Sequence, residues 1–136
     1  MRSTIIVSCL LASLTACAPT VVGTWNGTTS GCANADDDGT DVTISVSSTN
    51  DTDRAALVTT LGLAGLAGAA ACLQDGGDVA DATALAFSTT STCDTDTVDY
   101  DVALVADADT ADSQSGTIDV SINGGAASRC ELTVTR

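Results

Sequence analysis

The sequence lacks the side chains on which several kinds of protein chemistry depend. It contains no histidine, and all four of its basic residues are arginine, so lysine is absent as well. Without histidine there is no Ser-His-Asp triad, no Cys-His pair and no imidazole ligand for a metal. Without lysine there is no Schiff-base nucleophile. These absences argue against catalysis, and we expect a protein that is not an enzyme.

Positive charge and aromatic residues are scarce too. The chain has 18 acidic residues and 4 basic ones, which gives a formal net charge of −14. Proteins that bind nucleic acid carry basic patches that displace counterions from phosphates, so we expect no nucleic-acid partner. Only Trp25, Phe87 and Tyr100 are aromatic. The core must therefore be built mostly from smaller side chains.

Residues 1–16 have the pattern of an export signal. Arg2 supplies a positive charge, Ile5 to Leu14 form a short apolar stretch, and small residues follow. This stretch is shorter than the roughly 20 apolar residues that a membrane-spanning helix needs. Leu14-Thr15-Ala16-Cys17 resembles the lipobox of bacterial lipoproteins, in which an aliphatic and two small residues precede a cysteine. The alternative is an ordinary secretory signal, with Cys17 as a disulfide partner.

The lipobox resemblance implies a lipid-anchored protein of the bacterial cell envelope. In that family the cysteine thiol is diacylglycerylated, the signal is removed before it, and the new N-terminus is often acylated too, commonly with palmitate. Several acyl chains anchor a protein stably in a membrane. Ala18 stands where lipoproteins retained in the inner membrane carry aspartate, which favours the outer membrane. The expected organisation is a signal at 1–16, the lipidated Cys17 with a short tether at 17–20, and one domain at 21–136.

Alternation of apolar and polar side chains predicts β-strands through most of this domain. The apolar sets at alternate positions are Val42, Ile44 and Val46; Leu85 and Phe87; Val98, Tyr100, Val102 and Leu104; Ile118, Val120 and Ile122; and Cys130, Leu132 and Val134. Turn signals lie between them at Asp38-Gly39, Asp75-Gly76-Gly77 and Asn123-Gly124-Gly125, the last of which favours a hairpin. The predicted fold class is all-β, a small antiparallel barrel or sandwich of about 7–8 strands.

The segment 55–73 carries no charge and is harder to interpret. Its leucines fall all round a helical wheel, whereas in a strand the odd positions from Leu57 to Leu73 share one face. Three glycines within the segment would each weaken a helix by up to about 1 kcal/mol. We therefore favour one long bent strand, or a bent hairpin, over a helix.

Four cysteines remain beside the signal and the proposed anchor: Cys32, Cys72, Cys93 and Cys130. An even number in an exported protein predicts two disulfides, which would compensate for a modest core. If 55–73 is one long strand, strand direction places Cys32 and Cys72 at one end of the domain and the other two at the opposite end. That favours Cys32 with Cys72 and Cys93 with Cys130, whereas a hairpin in this segment would change the pairing.

An acidic turn follows the first strand. Asn34, Asp36, Asp38 and Asp41 place oxygen ligands along a loop that contains Gly39, as in the opening of a calcium-binding loop. The twelfth position of such a loop would be Ser45, where calcium loops have a bidentate glutamate. These four residues are the candidate Ca²⁺ ligands, and a solvated turn between two strands is the alternative.

Gly23-Thr24-Trp25 on the first predicted strand resembles the G-x-W motif of lipocalins and related calycin barrels. In that family the tryptophan closes one end of the barrel beneath a basic residue from near the C-terminus. The resemblance implies that Arg129 or Arg136 takes this position and that the barrel carries a small apolar ligand. A tryptophan that only plugs the core is the alternative.

Together these patterns predict an acidic, disulfide-bonded all-β domain held against the envelope membrane by a lipid anchor. Its expected role is structural or interaction-based, with a protein or small-molecule partner that the sequence does not identify. Two further functions stay open. One is a calcium-dependent adhesion or binding module, and the other is a calycin-like carrier.

Overall fold

The computed structural model describes residues 20–64, 66, 69, 72–74 and 76–136. The predicted signal peptide at 1–16 and the predicted anchor Cys17 lie outside the described residues, as does the tether apart from Thr20. In the part of the chain that is described, no helix has the length and apolar character needed to cross a lipid bilayer.

The described residues form nine strand segments and a short 3-10 turn. The strands are β1 (Gly23–Ser30), β2 (Asp41–Thr49), β3 (Thr52–Thr59), β4 (Leu73–Gln74), β5 (Gly76–Val79), β6 (Ala86–Cys93), β7 (Asp96–Asp107), β8 (Thr110–Ile122) and β9 (Ser128–Thr135). The turn, Ala35–Asp37, lies between β1 and β2. All strands belong to one sheet in the order β4-β6-β7-β8-β9-β1-β2-β3-β5, and every pairing is antiparallel.

The sheet forms a nearly closed barrel because its two edge strands are almost continuous in the chain. β4 pairs with β6, and β5 pairs with β3 at the opposite edge. A Cβ atom on Gly77 would lie 2.2 Å from the carbonyl oxygen of Ser88, so the backbones of β5 and β6 approach more closely than a side chain allows. The stretch 73–79 thus closes the sheet, and the predicted all-β class is confirmed.

Strand direction gives the barrel two ends. The tether end is where β1 begins beside Thr20, and it also holds the hairpins β2–β3 and β7–β8 and the C-terminal Arg136. The far end is where β1 finishes. It holds the loop 31–40, the chain between β3 and β4, the β6–β7 turn and the turn 123–127.

The predicted alternation is confirmed in the strands. All members of the alternating apolar sets are buried except Ile122, which is 38% exposed at the end of β8. Asn123-Gly124-Gly125 lies in the turn between β8 and β9, and Asp38-Gly39 precedes β2, as expected. The turn predicted at Asp75-Gly76-Gly77 is wrong, because Gly76 and Gly77 begin β5.

The uncharged segment 55–73 is extended only in its first part. β3 continues to Thr59, and Leu61 and Leu63 are buried beyond it. The chain then turns at Gly62, whose φ is +75°, and the Tyr100 hydroxyl donates a hydrogen bond of 2.6 Å to the Leu61 carbonyl. The prediction of one long bent strand is therefore wrong, since the chain returns along a further strand, 73–79.

The two predicted disulfides form, but the favoured pairing is wrong. Cys32 bonds to Cys130 and Cys72 bonds to Cys93. The additional strand 73–79 carries the chain back to the tether end, so β6 then ends at the far end with Cys93. All four cysteines thus lie at the far end, and no described cysteine is free.

Removal of each disulfide should destabilise the barrel by a different amount. The Cys32–Cys130 bond closes a loop across 98 residues and the Cys72–Cys93 bond a loop across 21. Since a longer loop gains more entropy when it is opened, we expect losses of about 5 and 3 kcal/mol for the two double cysteine-to-alanine variants. Urea titration of the oxidised variants measures this. Equal losses, or a non-reducing peptide map that links Cys32 to Cys72, would contradict the assignment.

Candidate functional site

Trp25 and Arg136 form the centre of the tether end. Trp25 is completely buried, and its indole Nε1 donates a hydrogen bond of 2.8 Å to the Val21 carbonyl. The guanidinium carbon of Arg136 lies 4.5 Å from the centre of the indole ring. A cation over an aromatic face is attracted by the negative charge of that face. The basic residue over the tryptophan is therefore Arg136.

Arg136 also fixes the chain as it enters the barrel. Its Nη1 donates hydrogen bonds of 2.7 Å to the Thr20 carbonyl and 3.0 Å to the Val22 carbonyl. Its Nε pairs with Asp112 at 3.1 Å. Between the two held carbonyls, Val21 is fully buried and donates its backbone N–H to Ala82. The first described residues are thus held by both side-chain and backbone contacts.

Buried side chains occupy the interior of the barrel. Those with less than 2% exposure include Trp25 and Tyr100 together with leucines and isoleucines from five strands and their loops. Gln114 is buried as well, and its amide is satisfied by the Leu85 N–H and the Thr83 carbonyl. Side chains fill the centre here, as in other small barrels.

The acidic turn at the far end uses its side chains to hold its own backbone. The Asn34 side chain accepts a hydrogen bond from the Asp36 N–H and caps the 3-10 turn. Asp38 accepts a hydrogen bond of 2.8 Å from the Cys32 N–H. Asp41 is exposed at the first position of β2. Two of the four candidate calcium ligands therefore have an oxygen engaged by an amide.

These four residues do not converge on one point. Among the described residues there is no group of three or more histidine, cysteine or acidic side chains arranged to hold a metal ion. The structure distinguishes a different carboxylate in this turn. Asp37, which the alternate-position pattern passes over, is the only acidic side chain in the described ranges that is buried, with 8% exposure.

Carboxylates also form a row on the outer face of β7 and β8. Asp101 and Asp119 are directly opposite each other, with Asp99 further along β7. Two like charges in opposite positions repel, and each here has a partner. Ser88 donates to Asp101 at 2.8 Å, and Arg129 donates two hydrogen bonds of 2.7 Å to Asp119.

The Arg129 contact decides the electrostatics of this row. Hydrogen bonding to Arg129 lowers the pKa of Asp119 below its usual value, and the same bond raises the pKa of Arg129. A general acid in glycoside hydrolysis needs the opposite shift, because it must keep its proton near neutral pH. Asp119 is therefore an ionised partner of Arg129 and is unsuited to the role of proton donor.

Replacement of Arg136 should weaken the tether end far more than replacement of the other paired arginine near the C-terminus. Arg136→Ala removes the contact with Trp25 and two hydrogen bonds to carbonyls, so we expect a loss of about 2–3 kcal/mol in unfolding free energy. Arg129→Ala is the matched control and should change stability little, since its side chain is 67% exposed. Urea titration followed by Trp25 fluorescence measures both. Equal effects would contradict a clamping role for Arg136.

No family model, curated protein or solved structure matches this chain. What the chain does is therefore inferred from the geometry of its own residues.

Proposed function

We propose that this chain is a lipid-anchored lipoprotein of the bacterial cell envelope, in which Cys17 carries the acyl chains and the barrel has a structural or interaction role. The observation that carries the proposal is the clamp of Arg136 on the carbonyls of Thr20 and Val22. It begins the folded domain at the end of the predicted tether. An anchored domain needs its tether joined firmly to the fold, and this contact supplies that joint.

The proposal gives the domain an orientation. Only Ala18 and Pro19 separate Cys17 from Thr20. At about 3.5 Å per extended residue, the span from Cys17 to Thr20 reaches roughly 10 Å. The tether end would therefore lie close to the lipid headgroups, and the far end would face away from the membrane. Loops at the far end are then the surface that a partner meets.

The disulfides agree with export. Disulfides persist in oxidising compartments and are rare where glutathione and thioredoxin keep thiols reduced. All four described cysteines are paired. This supports a location outside the cytoplasm, while the choice of membrane depends on the lipobox and on Ala18.

Replacement of the predicted anchor residue tests the proposal. We expect Cys17→Ala to move the protein from the membrane fraction to the soluble exported fraction, because the acyl chains supply the membrane affinity. The matched control is Cys9→Ala, which lies in the predicted signal and should leave the protein in the membrane fraction. Intact mass measurement of the membrane-extracted protein should show residues 17–136 with attached acyl chains. A Cys17→Ala protein that stays membrane-bound, or an unacylated mass, would contradict lipid anchoring.

A calycin-like carrier is the second candidate, and the position of Arg136 over the Trp25 ring favours it. The packed interior of the barrel argues the other way, because a carrier needs space for its ligand. Titration with the uncharged apolar dye N-phenylnaphthylamine separates the two. Saturable fluorescence with one dye per chain would support a carrier, whereas a signal that rises without saturation would contradict it.

A further inference from the structure

A cleft of about 240 Å³ opens at the far end of the barrel. It lies between the acidic turn, the chain that follows β3 and the turn that joins β8 to β9. Its lining combines three polar residues with small or aliphatic ones, namely Asn34, Asp37, Gly62, Ala64, Val120, Ile122, Ala126 and Ser128. The volume is below the 300–1,000 Å³ typical of sites for drug-sized ligands, so any occupant is small.

Asp37 enters this cleft as a buried charge. Its backbone is held firmly, since its carbonyl accepts hydrogen bonds from the hydroxyls of Thr29 and Thr40 and its N–H bonds to the Asn34 carbonyl. The residue is only 8% exposed. Within the described ranges, no arginine and no hydrogen-bond donor reaches its carboxylate. A carboxylate removed from water without a partner is strongly unfavourable, so the site lacks a positive group.

The charge of Asp37 also acts on the core. Burial, and next the charge of Asp37, raise the pKa of Tyr100 to about 12. Tyr100 itself gives its proton to the Leu61 carbonyl and so does not neutralise Asp37. The nearest hydroxyl of the core is therefore already engaged.

Ser128 supplies a second unsatisfied group in the same cleft. Its Oγ is buried and has no hydrogen-bond partner among the described residues, and it is the one buried side-chain oxygen or nitrogen there of which this is true. Buried polar atoms are nearly always hydrogen-bonded, and one that is not points to a missing partner. Asp37 and Ser128 come from different elements, so they are independent indications of the same site.

The remaining walls define the rest of the ligand. Val120, Ile122 and Ala126 form an apolar side, and Ile122 is 38% exposed at the rim. No aromatic ring lines the cleft. Quaternary ammonium groups are recognised mainly by aromatic faces, whereas a primary ammonium is recognised by the hydrogen bonds that it donates.

We propose that this cleft binds a small primary amine, with its ammonium group donating hydrogen bonds to the Asp37 carboxylate and the Ser128 Oγ and its short carbon chain lying against Val120 and Ile122. The net charge of −14 attracts cations toward the domain. The site is independent of the lipid anchor, since it lies at the opposite end of the barrel.

The test uses the full-length chain purified in detergent and titrated calorimetrically with n-butylammonium chloride. We expect saturable binding at one site per chain. Butan-1-ol has nearly the same shape without the charge, and tetramethylammonium has the charge without donors. Both should bind at least about tenfold more weakly, because charge-assisted hydrogen bonds carry the recognition.

Four variants locate the site. Asp37→Asn keeps the shape and should weaken butylammonium binding at least about tenfold. Ser128→Ala should weaken it about three- to tenfold, and its side chain has no partner whose loss would threaten the fold. Asp109→Asn, in the β7–β8 turn at the tether end, removes the same charge at a distance and should leave binding unchanged. Asp36→Asn should also leave it unchanged, since Asp36 lines a neighbouring cleft that Ser128 does not reach.

The unliganded variants give a second measurement. If Asp37 is an unpaired buried charge, Asp37→Asn should melt at a higher temperature than Asp109→Asn in the absence of amine. The proposal is overturned by an absence of saturable binding, or by equal weakening in Asp37→Asn and Asp109→Asn, which would mean unspecific charge attraction. It is also overturned if Asp36→Asn weakens binding and Ser128→Ala does not, because the amine would then occupy the neighbouring cleft.

Discussion

The closure of the sheet by the stretch 73–79 is the constraint on which the rest of the structure depends. This stretch pairs with β6 at its start and with β3 at its finish, so the sheet needs no other edge. Closure removes exposed strand edges, which otherwise template association with other chains. It also fixes which end of the barrel each later loop reaches. The disulfides, the far-end cleft and the tether contacts all take their places from it.

The strands themselves could be predicted from the sequence because one face of each is buried. A period of two in apolar residues has one physical cause, the opposite orientation of successive side chains in extended chain. Leu104 and Val134 are as buried as their patterns predict. The fold class follows from such patterns, since no other arrangement buries all the alternating faces of a small domain.

The connection of the strands could not be predicted in the same way. Glycine pairs generally mark turns, yet Gly77 lies in a strand because the Ser88 carbonyl leaves no room for a Cβ atom. That close approach involves residues distant in sequence, and no local pattern shows it. A single strand omitted from the count moves every following loop to the wrong end. The predicted pairing of Cys32 with Cys72 fails for this reason alone.

The candidate sites divide in the same manner. The basic residue over Trp25 was narrowed to Arg129 or Arg136 by a motif, and only the structure separates them, since Arg129 is bound to Asp119. Asp37 escaped the sequence because the alternate-position pattern assigns significance to Asp36 and Asp38. Its burial depends on the 3-10 turn and on the hydroxyls of Thr29 and Thr40, which hold its carbonyl. Two threonines that flank an acidic turn are the signal that could have indicated it.

The two ends of the barrel are stabilised by different means, and this difference has a physical logic. At the tether end, Trp25, Arg136 and Gln114 are all hydrogen-bonded or in contact with a partner, so the end is stable through its own contacts. At the far end, Asp37 and Ser128 keep unsatisfied polar atoms, which is destabilising. Both disulfides lie at that end and offset this instability. A domain that served only as a spacer would gain stability from an apolar residue at position 37. A buried carboxylate retained behind two covalent links is the arrangement expected of an end that binds a ligand, where stability is given up in favour of function.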